Sequence, residues 1–139
     1  MRHEKSCGFI VYKTVGGERL YLIIRGINRD YGFPKGHVEP GETEIETAKR
    51  ELKEETNLEV EIAAGFREEI EYLLPGKGGA TKTTVYFLGK CITDDIKCQA
   101  GEVVSAKFLP YKKALELLTF ESTKTMLSEA DSFLDSESK

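Results

Sequence analysis

A mixed α/β chain, with a sheet flanked by helices, is predicted by two features of the sequence. Runs rich in β-branched and aromatic residues recur between turn signals, while separate segments carry apolar residues at helical spacing. Ser6–Lys13 and Leu20–Arg25 read as strands, joined by Val15-Gly16-Gly17-Glu18 as a hairpin link. In Leu58–Ala63, Leu58, Val60 and Ile62 alternate with Glu59 and Glu61, the period of a half-buried strand. Phe66–Leu74 is a further strand and leads into Pro75-Gly76-Lys77-Gly78-Gly79, a loop by composition. Thr83–Ile92 and Val103–Leu109 complete the strands. Thr43–Thr56 is the first helix. Met126, Leu127, Ala130, Phe133 and Leu134 form the apolar face of a C-terminal helix, and Tyr111–Leu118 a shorter one with Ala114, Leu115 and Leu118 inward.

At 139 residues with 40% apolar content, the chain suits one domain over 1–139 with a real core. No stretch approaches the ~18 consecutive apolar residues of a membrane span. The start, Met1-Arg2-His3-Glu4-Lys5, lacks the apolar core of a signal peptide, so the expectation is a cytoplasmic protein without a membrane partner. A net charge of −4 argues against a stable nucleic-acid complex, though a local basic patch could meet a small anion. Cys7, Cys91 and Cys98 have neither CxxC spacing nor a neighbouring histidine pair, which points away from disulfides and zinc. Cys7 and Cys91 lie in apolar runs and read as core residues.

The chemistry is concentrated in 36–58, GHVEPGETEIETAKRELKEETNL. Pro40-Gly41 is a turn, and Thr43 with Glu46 begins the helix as a capping box. Ile45, Ala48 and Leu52 give one apolar stripe. Glu51, Glu54 and Glu55, spaced i, i+3 and i+4, put three carboxylates side by side. Glu51 repels Glu55, and Lys49 repels Lys53, each by roughly 0.2–0.5 kcal/mol. A solvated acidic face is the ordinary meaning of ExxEE on a helix. Here the flanking Gly36, Glu42 and Arg50 stand at fixed offsets, and clustered carboxylates suit a hard divalent cation.

This segment resembles the Nudix box: G, five residues, E, seven residues, then R-E-aliphatic-x-E-E-x-G-aliphatic. Gly36, Glu42, Arg50, Glu51, Leu52, Glu54, Glu55 and Leu58 match at the right spacing. Asn57 replaces the usual glycine, and asparagine is the other residue that best tolerates a left-handed conformation. The resemblance implies a Nudix α/β/α sandwich, with a mixed sheet and a loop–helix–loop motif holding magnesium (manganese as a possible substitute) against a diphosphate. It implies Glu51, Glu54 and Glu55 as metal-binding carboxylates, with the Gly36 carbonyl as a further ligand. Arg50 would orient a glutamate, while Glu42 and the Gly41 turn would support the motif. Glu54 and Glu102, the latter in the loop Gln99-Ala100-Gly101-Glu102, are alternative acceptors of the attacking water's proton.

Within that superfamily, the run Phe33-Pro34-Lys35-Gly36-His37-Val38-Glu39-Pro40-Gly41-Glu42 is similar to the asymmetric diadenosine tetraphosphate hydrolases. So are Phe66–Tyr72 and Lys82–Leu88. The resemblance implies a small nucleotide as partner, Lys35 and Lys82 on its phosphates, and aromatic side chains on its base. Tyr72 and Phe120 are candidates for stacking, with core packing as the alternative for each, whereas Tyr86 and His37 read as packing and loop residues. Where that group often has His and Trp, this chain reads Asn28-Arg29-Asp30-Tyr31-Gly32-Phe33, in which Tyr31 could supply an aromatic surface. Other Nudix substrates, namely nucleoside triphosphates, ADP-ribose or RNA 5′ ends, are the main alternative. Lys77, Lys82, Lys90 and Lys97 give little support to an RNA path. A non-catalytic nucleotide sensor is a second alternative, against which stand the three retained glutamates.

Overall fold

The computed structural model describes residues 3–74, 76 and 78–137, with the side chains of His3 and Tyr72 excepted. The two-faced apolar run near the N-terminus becomes the middle of a sheet. β1 (His3–Val15) turns at Gly16-Gly17 into antiparallel β2 (Glu18–Gly26), as the hairpin reading expected. The remaining elements are β3 (Tyr31–Gly32), β4 (Lys35–His37), α1 (Glu44–Thr56), β5 (Val60–Leu73), β6 (Thr81–Cys91), β7 (Val103–Pro110), α2 (Tyr111–Leu117) and α3 (Glu121–Glu137). Among the described residues the sheet has seven strands in the order β3-β2-β1-β6-β5, with β4 also pairing β1 and β7 pairing β2. It is mixed because β1 runs parallel to β6 while its hairpin partner is antiparallel.

Alternation along β1 divides the core. Cys7, Phe9 and Val11 join Leu22, Val85 and Phe87 under Ala48 and Leu52 of α1. Ile10 faces the other way, with Tyr21, Ile23, Tyr86 and Leu88, under Met126, Leu127, Ala130 and Leu134 of α3 and Ala114 of α2. Helices therefore cover both faces, and the expected α/β/α sandwich is what forms. No helix among the described residues is long and apolar enough to cross a membrane.

Two strand expectations change. Val60–Ala63 and Phe66–Leu73, expected as parts of two strands, belong to one strand, β5, whose pairing with β6 shifts register between Ile62 and Arg67. The irregular segment contains Gly65 at φ 97°, packed near the Phe133 ring, so alternation breaks without ending the strand. Leu58 precedes that strand and is fully buried beneath α1. The short β3 and β4 were not foreseen: two or three residues carry no readable period. The cysteines are free, Cys7 buried and Cys91 half-buried as expected of core residues, and Cys98 exposed. Of the predicted glycine loop, Pro75 and Lys77 lie outside the described residues.

Candidate active site

α1 begins as its sequence dictates. The Glu46 N–H donates to the Thr43 hydroxyl at 3.2 Å, and the Thr43 N–H donates to the Glu46 carboxylate at 2.8 Å, a complete capping box. The chain enters it through Pro40-Gly41, where Gly41 sits at φ 83°, a conformation costly for any residue with a Cβ. The Glu39 and Thr47 donors then reach back to Glu42 at 3.0 and 2.8 Å.

Glu42 is the anchor for Arg50. The guanidinium Nε and Nη2 donate to its two oxygens at 2.7 and 3.0 Å, a bidentate pair. Arg50, helped by the Glu39 N–H and the Thr47 hydroxyl, holds the Glu42 carboxyl down at about 2. The same guanidinium donates to Glu51 at 2.9 Å, to Glu54 at 3.1 Å and to the His37 carbonyl at 3.0 Å. One arginine thus ties the entry loop to two of the three box glutamates.

Those three glutamates do different things. Glu51 lies against the backbone of Gly36: a Cβ there would stand 2.0 Å from its carboxyl carbon, so only glycine admits this approach. Burial raises its pKa against the lowering pull of Arg50. Glu55 is half-buried, accepts the Lys35 N–H at 3.2 Å, and is pushed up to about 7, first by burial and next by the charge of Glu51. Glu54 is 46% exposed and turned toward Arg50.

Glu51, Glu54 and Glu55 line one cavity of about 440 Å³ with Glu102, Lys35, Lys82, Gly36, His37 and Gln99. Lys35 and Lys82 arrive from β4 and β6, which flank the same end of β1. Their ammonium groups are close enough that the Lys35 pKa is lowered, by burial first and by Lys82 next. A half-buried pair of like charges beside a row of carboxylates is an unfinished electrostatic arrangement. It suits a polyphosphate lying between cations on one side and a metal-holding acidic edge on the other.

Glu102 reaches this cavity on a segment, Ile92 to Glu102, that has no helix or strand of its own. The Lys97 and Gln99 N–H groups donate to the last carbonyls of α1, Thr56 and Glu55, at 2.9 and 3.0 Å. The loop thereby satisfies the helix end while carrying Glu102 beside it.

A second cavity, about 330 Å³, adjoins the first through shared Lys35, Glu55 and Glu102. Its walls include Tyr31, Phe33, Tyr86, Phe120 and Ile27, with Asn28, Asp30 and Thr123 as polar groups. Phe120 is 52% exposed, which decides against core packing for it. Tyr86 is buried edge-on against Phe33, the packing role expected, although it also forms part of this wall. Tyr72 pairs with Lys82 across β5 and β6, but its side chain lies outside the described residues. His37 ends β4 rather than lying in a loop as expected, because it pairs with Ser6 of β1; its side chain is exposed, lies near Glu4 at 3.5 Å and lines the first cavity. Lys90 and Lys97 line neither cavity, and Lys77 lies outside the described residues. Sequence reasoning missed Gln99 and Ser6 as lining residues. Gln99 had a signal in its neighbour Glu102, whereas Ser6 was hidden within an apolar strand.

Among the described residues, no three acidic, histidine or cysteine side chains already converge as a complete metal cage. The donor set still fits a hard divalent cation. Glu55 is a carboxyl held near neutrality by burial and by a second carboxylate, a strain that a cation relieves, and magnesium takes one or two carboxylates plus waters and phosphates.

A family model described as NUDIX domain matches residues 4–129. The chain belongs to the Nudix family. It is similar to the asymmetrical bis(5′-nucleosyl)-tetraphosphatase of Rattus norvegicus, 37% identical over 94% of this chain and 95% of the relative. The solved structure described as a binary complex of C. elegans Ap4A hydrolase is 27% identical, with a TM-score of 0.86 over 96% of this chain and 98% of that one. The NUDIX domain of Shewanella oneidensis NrtR, complexed with ADP ribose, has a TM-score of 0.77 over 96% of this chain and 90% of that one. At 15% identity it shares the fold alone. With this family and these relatives, the protein is a Nudix pyrophosphohydrolase, of a kind that uses divalent metal ions.

Proposed function

We propose that this Nudix enzyme hydrolyses dinucleoside polyphosphates of four or more phosphates, cutting diadenosine tetraphosphate asymmetrically to ATP and AMP. The observation that carries the reading is the junction of the two cavities: Lys35, Glu55 and Glu102 belong to both an acidic, lysine-flanked cavity and an aromatic-walled one. A ligand with a long phosphate chain and a nucleoside end fits that combination. The resemblance of the run from Phe33 to Glu42 to the tetraphosphate hydrolases supports the same choice.

Glu51, Glu54, Glu55 and the Gly36 carbonyl are the groups that would hold magnesium, with manganese as a substitute. A bound ion of that kind neutralises phosphate charge and lowers the pKa of a coordinated water. The chain's own groups then act around it. Lys35 and Lys82 hold the phosphates, and Phe120, with Tyr31 in the wall of the same cavity, takes the base. Arg50 keeps Glu51 and Glu54 in place, with Glu42 and the Gly41 turn fixing Arg50. Glu54 accepts the proton of the attacking water, and Glu102 is the neighbouring carboxylate that serves the same cavity. Water adds to phosphorus, the bridging P–O bond breaks, and the departing nucleotide oxygen keeps the electron pair. The partner in this reading is a free nucleotide, and the cytoplasm is its compartment.

The test is a panel of dinucleoside polyphosphates, nucleoside triphosphates, ADP-ribose and triphosphorylated RNA, assayed with magnesium, with products separated by chromatography. Fastest turnover of diadenosine tetraphosphate, with equal ATP and AMP, is expected. ADP-ribose turning over as fast would overturn the substrate choice.

A further inference from the structure

We propose that Asn57, which stands where the Nudix box usually carries glycine, is a positioning residue that holds the Glu102 loop against the end of α1. The inference rests on the assignment of Glu102 to the reaction. Asn57 caps α1 with φ 67° and ψ 10°, its N–H donating to the Lys53 carbonyl at 2.9 Å. Glycine occupies that conformation without strain, and asparagine does so at some cost. The asparagine provides something glycine lacks. Its side-chain amide donates to the Asp95 carbonyl at 2.9 Å, a tie from the helix cap to the middle of the loop.

The placement of that tie matters because the loop has no regular structure to hold itself. Two residues past Asp95 the Lys97 N–H docks on the Thr56 carbonyl, and two further on the Gln99 N–H docks on that of Glu55. The Glu102 N–H donates to the Gln99 carbonyl at 3.2 Å, and the Ile27 N–H to the Glu102 carbonyl at 3.3 Å. A short ladder therefore runs from Asn57 through Asp95, Lys97 and Gln99 to Glu102. Its last two side chains, Gln99 and Glu102, line the acidic cavity. Without the first rung, the middle of the loop is held by the Lys97 and Gln99 bonds to the helix end, and its two ends by the Glu59 N–H to the Thr93 hydroxyl at 3.0 Å and the Ile27 N–H to the Glu102 carbonyl at 3.3 Å.

The experiment compares Asn57→Gly and Asn57→Asp, each alone and combined with Glu102→Gln, using full-length protein, magnesium and diadenosine tetraphosphate. Glycine keeps the cap conformation and aspartate tolerates it, but neither donates to Asp95. Both single variants are expected to unfold at or near the wild-type temperature, to lose about 3- to 10-fold in kcat with KM within about twofold, and to exchange the Lys97 and Gln99 amides at least about 10-fold faster. In the Glu102→Gln background they should cause no further loss in kcat. Wild-type kcat and exchange in Asn57→Gly, or full additivity with Glu102→Gln, would overturn the proposal. A Glu102→Gln enzyme as fast as wild type sinks the Glu102 assignment and with it the catalytic half of the proposal. Faster amide exchange in Asn57→Gly would then show that the anchor alone survives.

Discussion

Removing the charge at Glu55 should stabilise the metal-free protein at alkaline pH. The carboxyl sits half-buried at the shared wall of the two cavities, with its pKa raised from 4.5 to about 7, chiefly by burial and then by Glu51. A raised carboxyl pKa means that the folded state binds the proton more tightly than the unfolded chain. Its contribution is therefore fully present below about 4.5 and lost as pH rises through about 7. At 1.36 kcal/mol per pKa unit the full effect is about 3 kcal/mol, and partial solvent access brings it nearer 2. Glu55→Gln keeps the oxygen that accepts the Lys35 N–H and removes the titration. The two proteins should differ little near pH 5. The variant should gain roughly 2 kcal/mol by pH 8, or several degrees in Tm for a chain of this size. Urea denaturation with EDTA at both pH values reads the difference. A gap that is the same at pH 5 and pH 8, or a variant less stable at pH 8, would refute the reasoning that burial and Glu51 strain this carboxylate.

Gly36→Ala places a methyl group where the Glu51 carboxyl now lies. Because that carboxyl is the far end of a flexible side chain, the expected outcome is about 100-fold lower kcat with only a small fall in Tm, measured on the same preparation. Phe120→Ala removes an exposed ring from the nucleoside-sized cavity. Stacking of ~1–3 kcal/mol predicts a KM raised about 5- to 150-fold with unfolding nearly unchanged, and a lowered Tm instead would make Phe120 a packing residue. Glu54→Gln should retain the fold, since the side chain is 46% exposed, while turnover falls by about 100-fold or more. Wild-type rates would remove Glu54 from the chemistry.

The box was legible in the sequence because its logic is local. A capping box, an apolar stripe and carboxylates at i, i+3 and i+4 are consequences of one helix's geometry, and Thr43, Ala48, Leu52 and Glu51 stand as that geometry requires. The two-sided β1 was legible for the same reason. What sequence spacing does not encode is pairing between distant segments. The approach of Lys35 to Lys82 depends on β4 and β6 meeting β1, the latter in parallel. The docking of the Glu102 loop depends on carbonyls that any helix end presents. Glu54 lines the cavity with its two neighbours, and its bond to Arg50 depends on that side chain's tie to Glu42, eight residues before the arginine, which the spacing alone does not reveal. Phe120 had two readings from its position ahead of α3, and only the packed fold leaves its ring at a cavity wall.

The clustered glutamates should capture a divalent ion, and most strongly in company with a phosphate chain. Calorimetric titration of magnesium into protein saturated with a non-hydrolysable diadenosine tetraphosphate analogue measures that capture directly. The expected result is saturable uptake that is lost in Glu51→Gln and much weaker when the analogue is omitted. Uptake that is absent in the wild type, or unchanged in Glu51→Gln, would contradict it.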